Sequence, residues 1–244
     1  MSTSAPSAAQ PYLLSVASTR RPLLLCALIA TRVWIECGLR PPSPSREWAG
    51  AKMTEFPDWF SAYAKPNFER FLIPLAGQQN LRFLQLGVYT GDATRWLDFH
   101  VLTHPDSLLI DIDTWEGSDE DAHESLDFNE VFEVYIRKIA KCDSVCHYRI
   151  TTDDFFIKQR HRIEGPFDFT YIDADHTTVG VLLDAEHAWP WVKPGGILAF
   201  DDYQWGAHLP PSKSPKLGID LFLERHAGEY ELLESGLQVW IRKI

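Results

Sequence analysis

The segment Phe167–Tyr203 constrains the fold most, because it contains two apolar strands joined by one amphipathic helix. The strands, Phe167–Ile172 and Gly196–Phe200, show no alternation of polar and apolar residues, which is typical of parallel strands buried on both faces. Ligands of such sheets bind beyond the carboxyl ends of the strands. Four carboxylates follow these two strand ends and predict either a cation site or an acid/base site: Asp173, Asp175, Asp201 and Asp202.

The sequence from Leu81 onward repeats this alternation of strand and helix. The other predicted strands are Leu81–Gly87, Ser107–Ile112, Val145–Ile150, Tyr230–Glu234 and Gln238–Arg242. The other predicted helices are Thr90–His100, Leu126–Lys141, Asp153–His161 and Leu217–His226, preceded by an aromatic-faced helical lead-in. Strands separated by helices form βαβ units and a parallel sheet. We therefore predict an α/β fold: a Rossmann-like, doubly wound, mostly parallel seven-stranded sheet with an antiparallel C-terminal edge hairpin.

Residues 1–52 differ from the rest because they are rich in Ser, Ala and Pro. We interpret them as a poorly ordered N-terminal extension and residues 53–244 as the domain, since Met53 opens a segment that looks like a natural start. A secretory signal is the less favoured interpretation, because no convincing cleavage site follows the short apolar run Pro22–Ala30. That run is far shorter than the ~20 residues of a membrane span. We expect a cytoplasmic protein with no membrane partner.

The formal net charge of -11 argues against nucleic acid as a partner, because phosphate binding requires a basic footprint. No run rich in lysine or arginine contradicts this conclusion. The expected partner is a small molecule, and the sequence leaves open whether the chain forms a homo-oligomer.

The loop Gln85–Gly91 joins the first predicted strand to its helix and has the spacing G-x-x-x-G. Glycine lets the backbone approach a ligand closely, and the helix N-terminus presents free N–H groups. The dinucleotide fingerprint G-x-G-x-x-G and the P-loop pattern are both absent, which disfavours NAD, FAD and P-loop nucleotide chemistry.

Polar residues also follow the second and third predicted strands. Asp113, Thr114 and Trp115 follow the second strand, and an acid at this distance from the glycine loop can accept hydrogen bonds from ribose hydroxyls. Thr152 and Asp153 follow the third strand, where their polar groups could meet an adenine amine. These strand ends predict an adenosine pocket, although Asp113 and Asp153 could instead cap turns and helices.

With these motifs, residues 80–244 resemble the class I S-adenosylmethionine-dependent methyltransferases. More narrowly, they resemble the metal-dependent small-molecule O-methyltransferases of the macrocin and novobiocin type. The resemblance rests on LQLGVYTGDATRWL, IDTWEG, YIDADH and KPGGILAFDDY. It implies metal-assisted methyl transfer from S-adenosylmethionine to a sugar or another hydroxylated small molecule. The family usually has an acid two residues before the first glycine; this chain has Gln85 there, whose amide would hold the cofactor's amino group less strongly.

The resemblance also implies roles for individual residues. The cofactor would be bound by Gln85, Gly87, Tyr89, Gly91, Asp113, Thr114, Trp115, Thr152, Asp153 and Asp173. Asp173, Asp201 and Asp202 would hold Mg²⁺ or Mn²⁺, because hard oxygen ligands suit these ions. Asp175 would be the general base with His176 in support, and either side chain could take the proton.

Three other functions stay open at this point. The first is methylation of a small amine, in which the acidic cluster recognises the amine and no metal takes part. The second is a non-catalytic cofactor-binding module, for which Gln85 is the only hint and against which the intact carboxylates count. The third is an NAD-dependent oxidoreductase, which the glycine spacing disfavours.

Overall fold

The computed structural model describes residues 55–118, 123 and 125–244. All of them belong to one compact unit, Pro44–Ile244. The predicted N-terminal extension, residues 1–52, lies outside the described residues.

The described chain forms one seven-stranded sheet with helices between the strands. The strands are β1 Arg82–Leu86, β2 Leu108–Asp113, β3 Val145–Arg149, β4 Phe167–Ile172, β5 Val192–Phe200, β6 Tyr230–Ser235 and β7 Val239–Lys243. The α-helices are α1 Lys65–Leu72, α2 Asp92–His100, α3 Phe128–Ile139, α4 Thr152–Lys158, α5 Thr178–Ala188 and α6 Pro215–Arg225. A π-helical turn, Phe60–Ala64, precedes α1.

The strand order is β3-β2-β1-β4-β5-β7-β6. Strands β1 to β5 pair in parallel, whereas β7 pairs antiparallel with both β5 and β6. The order of the strands reverses between β1 and β4: β2 and β3 follow β1 on one side, and β5 follows β4 on the other. At such a reversal the loops diverge and leave a crevice beyond the carboxyl ends of the strands. The predicted fold class is confirmed.

Apolar residues cover both faces of the sheet. On one face, α4, α5 and α6 pack over a cluster that includes Leu84, Phe200 and Phe222. On the other face, α1 and α2 pack over a cluster that includes Phe68 and Trp240. Two buried faces explain why β1, β2 and β4 show no polar alternation in sequence.

The boundaries of some elements differ from the prediction. The predicted strand Gly196–Phe200 begins earlier, at Val192, because the Pro-Gly-Gly segment is a register irregularity inside β5. The predicted helix Asp153–His161 ends at Lys158 and is followed by a short 3₁₀ turn, Arg160–Arg162.

Within the described part of the chain, every helix is too short or too polar to cross a membrane.

Candidate functional site

A cavity of about 880 Å³ lies at the carboxyl ends of the parallel strands. Loops after β1 to β5 line it, together with the N-terminal residues Trp59, Phe60 and Tyr63. Twelve of the fourteen predicted site residues lie in its wall: Gly87, Tyr89, Asp113, Thr114, Trp115, Thr152, Asp153, Asp173, Asp175, His176, Asp201 and Asp202. The fold therefore brings together in one cavity residues that are up to 115 positions apart in sequence.

The glycine loop begins where β1 and β4 approach each other most closely. Gly87 has a φ of +82°, and a Cβ atom at this position would collide with the backbone carbonyl of Asp173. Its N–H donates to the Ile112 carbonyl at 2.8 Å, and the Asp173 N–H donates to the Leu86 carbonyl at 2.8 Å. Only glycine fits here, because the position combines a left-handed backbone with contact between two backbones.

Asp113 organises this loop through its carboxylate. One oxygen, Oδ2, accepts hydrogen bonds from the backbone N–H groups of Val88 (2.8 Å) and Tyr89 (3.0 Å). The other, Oδ1, accepts from the Trp115 N–H at 2.7 Å. An ionised carboxylate has about four acceptor positions, so one remains for a ligand. The capping role that the sequence left open is present, and ribose binding by Asp113 stays a prediction.

Three non-glycine residues in the cavity wall have a positive φ: Tyr89 (+53°), Trp115 (+48°) and Asp202 (+55°). Such conformations cost free energy and persist only where surrounding contacts hold them. Asp113 supplies two of these contacts, and the Trp115 indole N–H donates to the Tyr89 carbonyl at 2.8 Å. The cavity wall is therefore held in a defined shape by hydrogen bonds.

Gln85 and Gly91 do not line the cavity. The buried Gln85 amide donates from Nε2 to Asp111 Oδ1 and to Thr94 Oγ1, both at 2.9 Å. A side chain at position 91 would lie 2.7 Å from the ring of Tyr135. Both residues therefore support the loop from behind, and direct contact with a cofactor stays a prediction for them.

Asp111 is the centre of a buried network that the sequence analysis missed. It pairs directly with Gln85 in the β1–β2 register and is fully buried. Thr94 and Tyr135 donate their hydroxyl groups to its Oδ2 at 2.8 and 2.9 Å. Burial raises the pKa of Asp111 to about 7, against the lowering effect of these hydrogen bonds. The signal for this network in the sequence was an acidic residue inside a predicted apolar strand.

Thr152 and Asp153 open α4 at the far end of the cavity. The helix is capped by Thr151, whose Oγ1 accepts from the Asp154 N–H at 3.2 Å. Asp153 lies 2.9 Å from Nε2 of His187 on α5, and its side chain is 55% exposed. Adenine binding by Thr152 and Asp153 stays a prediction, and Asp153 already has a protein partner in His187.

Asp173, His176 and Asp202 form a cluster on the cavity wall. Their ligand atoms lie within 4.8 Å of one another. Nε2 of His176 is 3.5 Å from Asp173 Oδ1 and 3.1 Å from Asp202 Oδ2. Burial, and then the nearby charge of Asp201, hold the pKa of Asp173 well above its usual range. Two carboxylates and one imidazole at these distances can hold a divalent cation.

Asp201 is turned towards other partners. Its Oδ2 accepts a hydrogen bond from the Tyr171 hydroxyl. Its Oδ1 accepts from Nε2 of Gln238 at 3.1 Å and from the Asp202 N–H at 2.9 Å. Of the three predicted metal ligands, the structure brings Asp173 and Asp202 together with His176, and Asp201 supports Asp202 from behind. A ligand role for Asp201 stays a prediction.

The Asp175 carboxylate lies at the start of α5. It accepts from the Thr177 N–H at 2.8 Å, and it packs so closely on Gly180 that any side chain there would collide with it. This arrangement gives Asp175 a helix-starting role. The general base function predicted for it stays a prediction, and its geometry favours it less than that of His176.

The described cavity wall is strongly acidic. It contains seven aspartates and two histidines, and among the described residues that line it there is no lysine or arginine. An aromatic group covers one side, where Trp59 stacks on Tyr89 with ring centroids 4.8 Å apart. The cavity therefore suits ligands that are uncharged or positively charged and that have an apolar face.

A family model described as a methyltransferase domain matches residues 84–203, from β1 to just beyond β5. The chain contains a methyltransferase domain. The matched region contains the loops after β1 to β4 and the first residues of the loop after β5, so the family match and the geometry concern mostly the same residues. The prediction of a class I S-adenosylmethionine-dependent methyltransferase is confirmed.

Solved structures of similar fold include several methyltransferases. The O-methyltransferase TomG from Streptomyces achromogenes, solved with S-adenosylmethionine, is 17% identical with a TM-score of 0.54, covering 89% of each chain. An O-methyltransferase from Bacillus cereus, solved with S-adenosylhomocysteine, is 17% identical with a TM-score of 0.51, covering 93% of this methyltransferase and 95% of that chain.

The mycinamycin-pathway methyltransferase MycE was solved with magnesium, S-adenosylhomocysteine and mycinamycin VI. It is 18% identical with a TM-score of 0.51, and the similarity covers 88% of this chain and 54% of MycE. At these identities the likeness establishes the fold. No curated protein sequence matches the chain significantly.

Proposed function

We propose that this methyltransferase acts on a hydroxyl group of a small molecule, such as a sugar, with the help of a divalent cation. The observation that carries the proposal is the pair of carboxylates Asp173 and Asp202, with His176 beside them, in the wall of the cavity that the glycine loop opens. The Mg²⁺ in the MycE complex and the O-methyltransferase names of TomG and the Bacillus cereus protein support it by analogy.

S-Adenosylmethionine would supply the methyl group. The chain's own contribution is to hold the cofactor between the loops after β1, β2 and β3. Asp113 fixes the glycine loop and has one acceptor position left for a ribose hydroxyl. The close approach of Gly87 to Asp173 brings the loop beside the acidic cluster, so the cofactor and the acceptor would meet there.

Asp173 and Asp202 fit a hard divalent cation, because they offer oxygen atoms at one point of a cavity wall. The pKa of Asp173 is raised, which is the expected result when carboxylates crowd together in a partly buried place. A bound Mg²⁺ or Mn²⁺ would lower the pKa of the acceptor hydroxyl and orient it.

His176 is the best-placed proton acceptor. Mg²⁺ prefers oxygen ligands, which leaves the imidazole for proton transfer. Asp202 lies 3.1 Å from Nε2 of His176 and would stabilise the charged imidazole. The Asp175 carboxylate instead accepts from the N–H of Thr177, the residue that caps α5. We therefore assign the base to His176 and a supporting role to Asp175.

The charge of the cavity limits the acceptor class. Seven aspartates outnumber the positive charges that one divalent cation and the cofactor would bring, so the wall stays negative. An acceptor with a phosphate or carboxylate group would be repelled. The same negative wall favours a second candidate, N-methylation of a small amine, in which the acidic cluster would bind the amine itself.

We also propose a cytoplasmic location. The cofactor pool is cytosolic, and neither cysteine within the described residues, Cys142 or Cys146, forms a disulfide bond.

Calorimetry with S-adenosylhomocysteine and with MgCl₂ tests the proposal. We expect the protein to bind both ligands, and Asp202→Asn to lose Mg²⁺ binding but keep S-adenosylhomocysteine. Asp143→Asn, an exposed aspartate outside the cavity wall, is the matched control and should bind both. Undiminished Mg²⁺ binding by Asp202→Asn contradicts the metal assignment. Methyl transfer that persists in EDTA would favour the N-methylation candidate.

A further inference from the structure

Gln238, the residue before β7, has a fully buried side chain whose polar atoms all have partners. A buried primary amide is satisfied when its oxygen accepts and both N–H groups donate. The partners of this amide come from α1, β4, β7 and the loop after β5. Gln238 lies outside residues 84–203, the region that the family model matches.

Two donors fix the orientation of the Gln238 amide. Its Oε1 accepts from Nδ2 of Asn67 at 2.9 Å and from the indole N–H of Trp240 at 3.0 Å. An indole nitrogen can only donate, so an amide turned the other way would place its NH₂ group against another donor. The NH₂ group of Gln238 must therefore face away from Trp240.

That NH₂ group faces the acidic end of the cavity. It donates to Asp201 Oδ1 at 3.1 Å and to the Tyr171 hydroxyl at 3.4 Å. The Tyr171 hydroxyl in turn donates to Asp201 Oδ2. Gln238, Tyr171 and Asp201 thus form a closed ring of hydrogen bonds in which each oxygen of the Asp201 carboxylate has its own donor. Such a buried, fully paired network holds its members in one arrangement.

Asp201 transmits this arrangement to Asp202 through the backbone. The Asp202 N–H donates to Asp201 Oδ1 at 2.9 Å, and Asp202 has a φ of +55°. A non-glycine residue keeps such a conformation only where surrounding contacts hold it. The next residue, Tyr203, donates its N–H to the Leu237 carbonyl at 2.9 Å, so the segment beside Gln238 also holds the main chain of this loop.

We propose that Gln238 and Tyr171 are positioning residues for the metal cluster. They hold Asp201, and Asp201 holds Asp202 in the backbone conformation that places its carboxylate near Asp173. This role depends on the proposed function, in which Asp173 and Asp202 bind a divalent cation. The segment that leads into β7 would therefore contribute to metal affinity, although its residues do not contact the ion.

The variant Gln238→Met tests this role, because it keeps the length of the side chain and removes both N–H donors. We expect Mg²⁺ to bind about 10-fold more weakly, which is typical when a group that orients a metal ligand is lost. The affinity for S-adenosylhomocysteine should stay unchanged, since the loops after β1, β2 and β3 keep their contacts. Calorimetry on the full chain, with MgCl₂ and with S-adenosylhomocysteine, measures both affinities.

Asn67→Leu is the matched control. It removes one hydrogen bond to the same amide but leaves Trp240 to orient the amide and leaves the bond to Asp201. This variant should bind Mg²⁺ as the wild-type protein does. Equal losses of Mg²⁺ affinity in Asn67→Leu and Gln238→Met would show a general loosening of the region and would overturn the proposal.

A double-mutant cycle separates positioning through Asp201 from a purely structural role. Asp201→Ala removes the acceptor, so adding Gln238→Met to that variant should weaken Mg²⁺ binding no further. A structural role would reduce the Mg²⁺ affinity by the same factor in both backgrounds. Additive losses would therefore overturn the proposal.

Tyr171→Phe provides a second test that does not depend on the folding of Gln238→Met, because it removes only a hydroxyl group. It should also weaken Mg²⁺ binding by about 10-fold and keep the affinity for S-adenosylhomocysteine. Undiminished Mg²⁺ binding by Tyr171→Phe would overturn the proposal, while the cation function would stand. Absence of Mg²⁺ binding by the wild-type protein would instead refute the cation function itself, and the positioning role with it.

Discussion

The substitution Gly87→Ala should damage both stability and cofactor binding, for two separable reasons. An alanine at a φ of +82° costs about 1–2 kcal/mol from backbone strain alone. The added methyl group would also collide with the Asp173 carbonyl and lie 2.8 Å from the Ala174 Cα. Overpacking of this kind costs about 1–3 kcal/mol. The expected total is about 2–5 kcal/mol.

The backbone has little freedom to relieve this collision. Moving β1 away from β4 would break the hydrogen bond from Asp173 N–H to the Leu86 carbonyl. Moving Gly87 the other way would break its own bond to the Ile112 carbonyl. Each break costs about 1 kcal/mol, so relaxation and collision are comparable in cost. The loop geometry that Asp113 maintains should be lost in either case.

Gly195→Ala is the matched control, because Gly195 has a similar φ of +79° but no atom within 4 Å of an added Cβ. It should lose only the backbone term, about 1–2 kcal/mol, and keep its affinity for S-adenosylhomocysteine. Urea denaturation gives the free energies of unfolding, and calorimetry gives the affinities. The reasoning is refuted if Gly87→Ala is no less stable than Gly195→Ala, or if it binds S-adenosylhomocysteine as well as the wild-type protein does.

Three further predictions follow from the network, the metal cluster and the N-terminal residues. The pKa of Asp111 is raised to about 7 in the folded protein, so protonation of Asp111 contributes stability that is complete below about pH 4 and is lost as the pH rises through 7. Between pH 5 and 8 the free energy of unfolding of the wild-type protein, measured by urea denaturation, should therefore fall by roughly 2–3 kcal/mol more than that of Asp111→Asn. Parallel pH profiles of the two proteins would contradict this prediction. Asp201→Asn should weaken Mg²⁺ binding less than Asp202→Asn does, because the Asp201 carboxylate already accepts three hydrogen bonds. Equal losses of Mg²⁺ affinity, measured by calorimetry, would instead identify both residues as ligands. A chain that starts at Met53 should keep the thermal midpoint and the S-adenosylhomocysteine affinity of the full chain, and a large drop in the midpoint would show that residues 1–52 stabilise the domain.

Local patterns in the sequence were sufficient for most of the fold. The run Phe167–Ile172 is apolar on both faces and forms β4 with the predicted boundaries. The glycines at positions 87 and 91 mark the first strand–helix turn, and Ser235-Gly236 marks the turn between β6 and β7. These features depend on residues that are neighbours in sequence, so sequence patterns alone predict them.

The sequence by itself also determined which loops would meet, because strand ends of a parallel sheet converge on one edge. It did not determine which way each side chain turns. Asp201 accepts hydrogen bonds from Tyr171 and Gln238, and Asp175 accepts from the Thr177 N–H. The imidazole of His176 lies beside Asp202. The orientations of Asp201 and His176 depend on partners from distant segments, since Gln238 is 37 residues from Asp201. The same holds for Asp111, whose raised pKa comes from burial that only the packed tertiary structure creates.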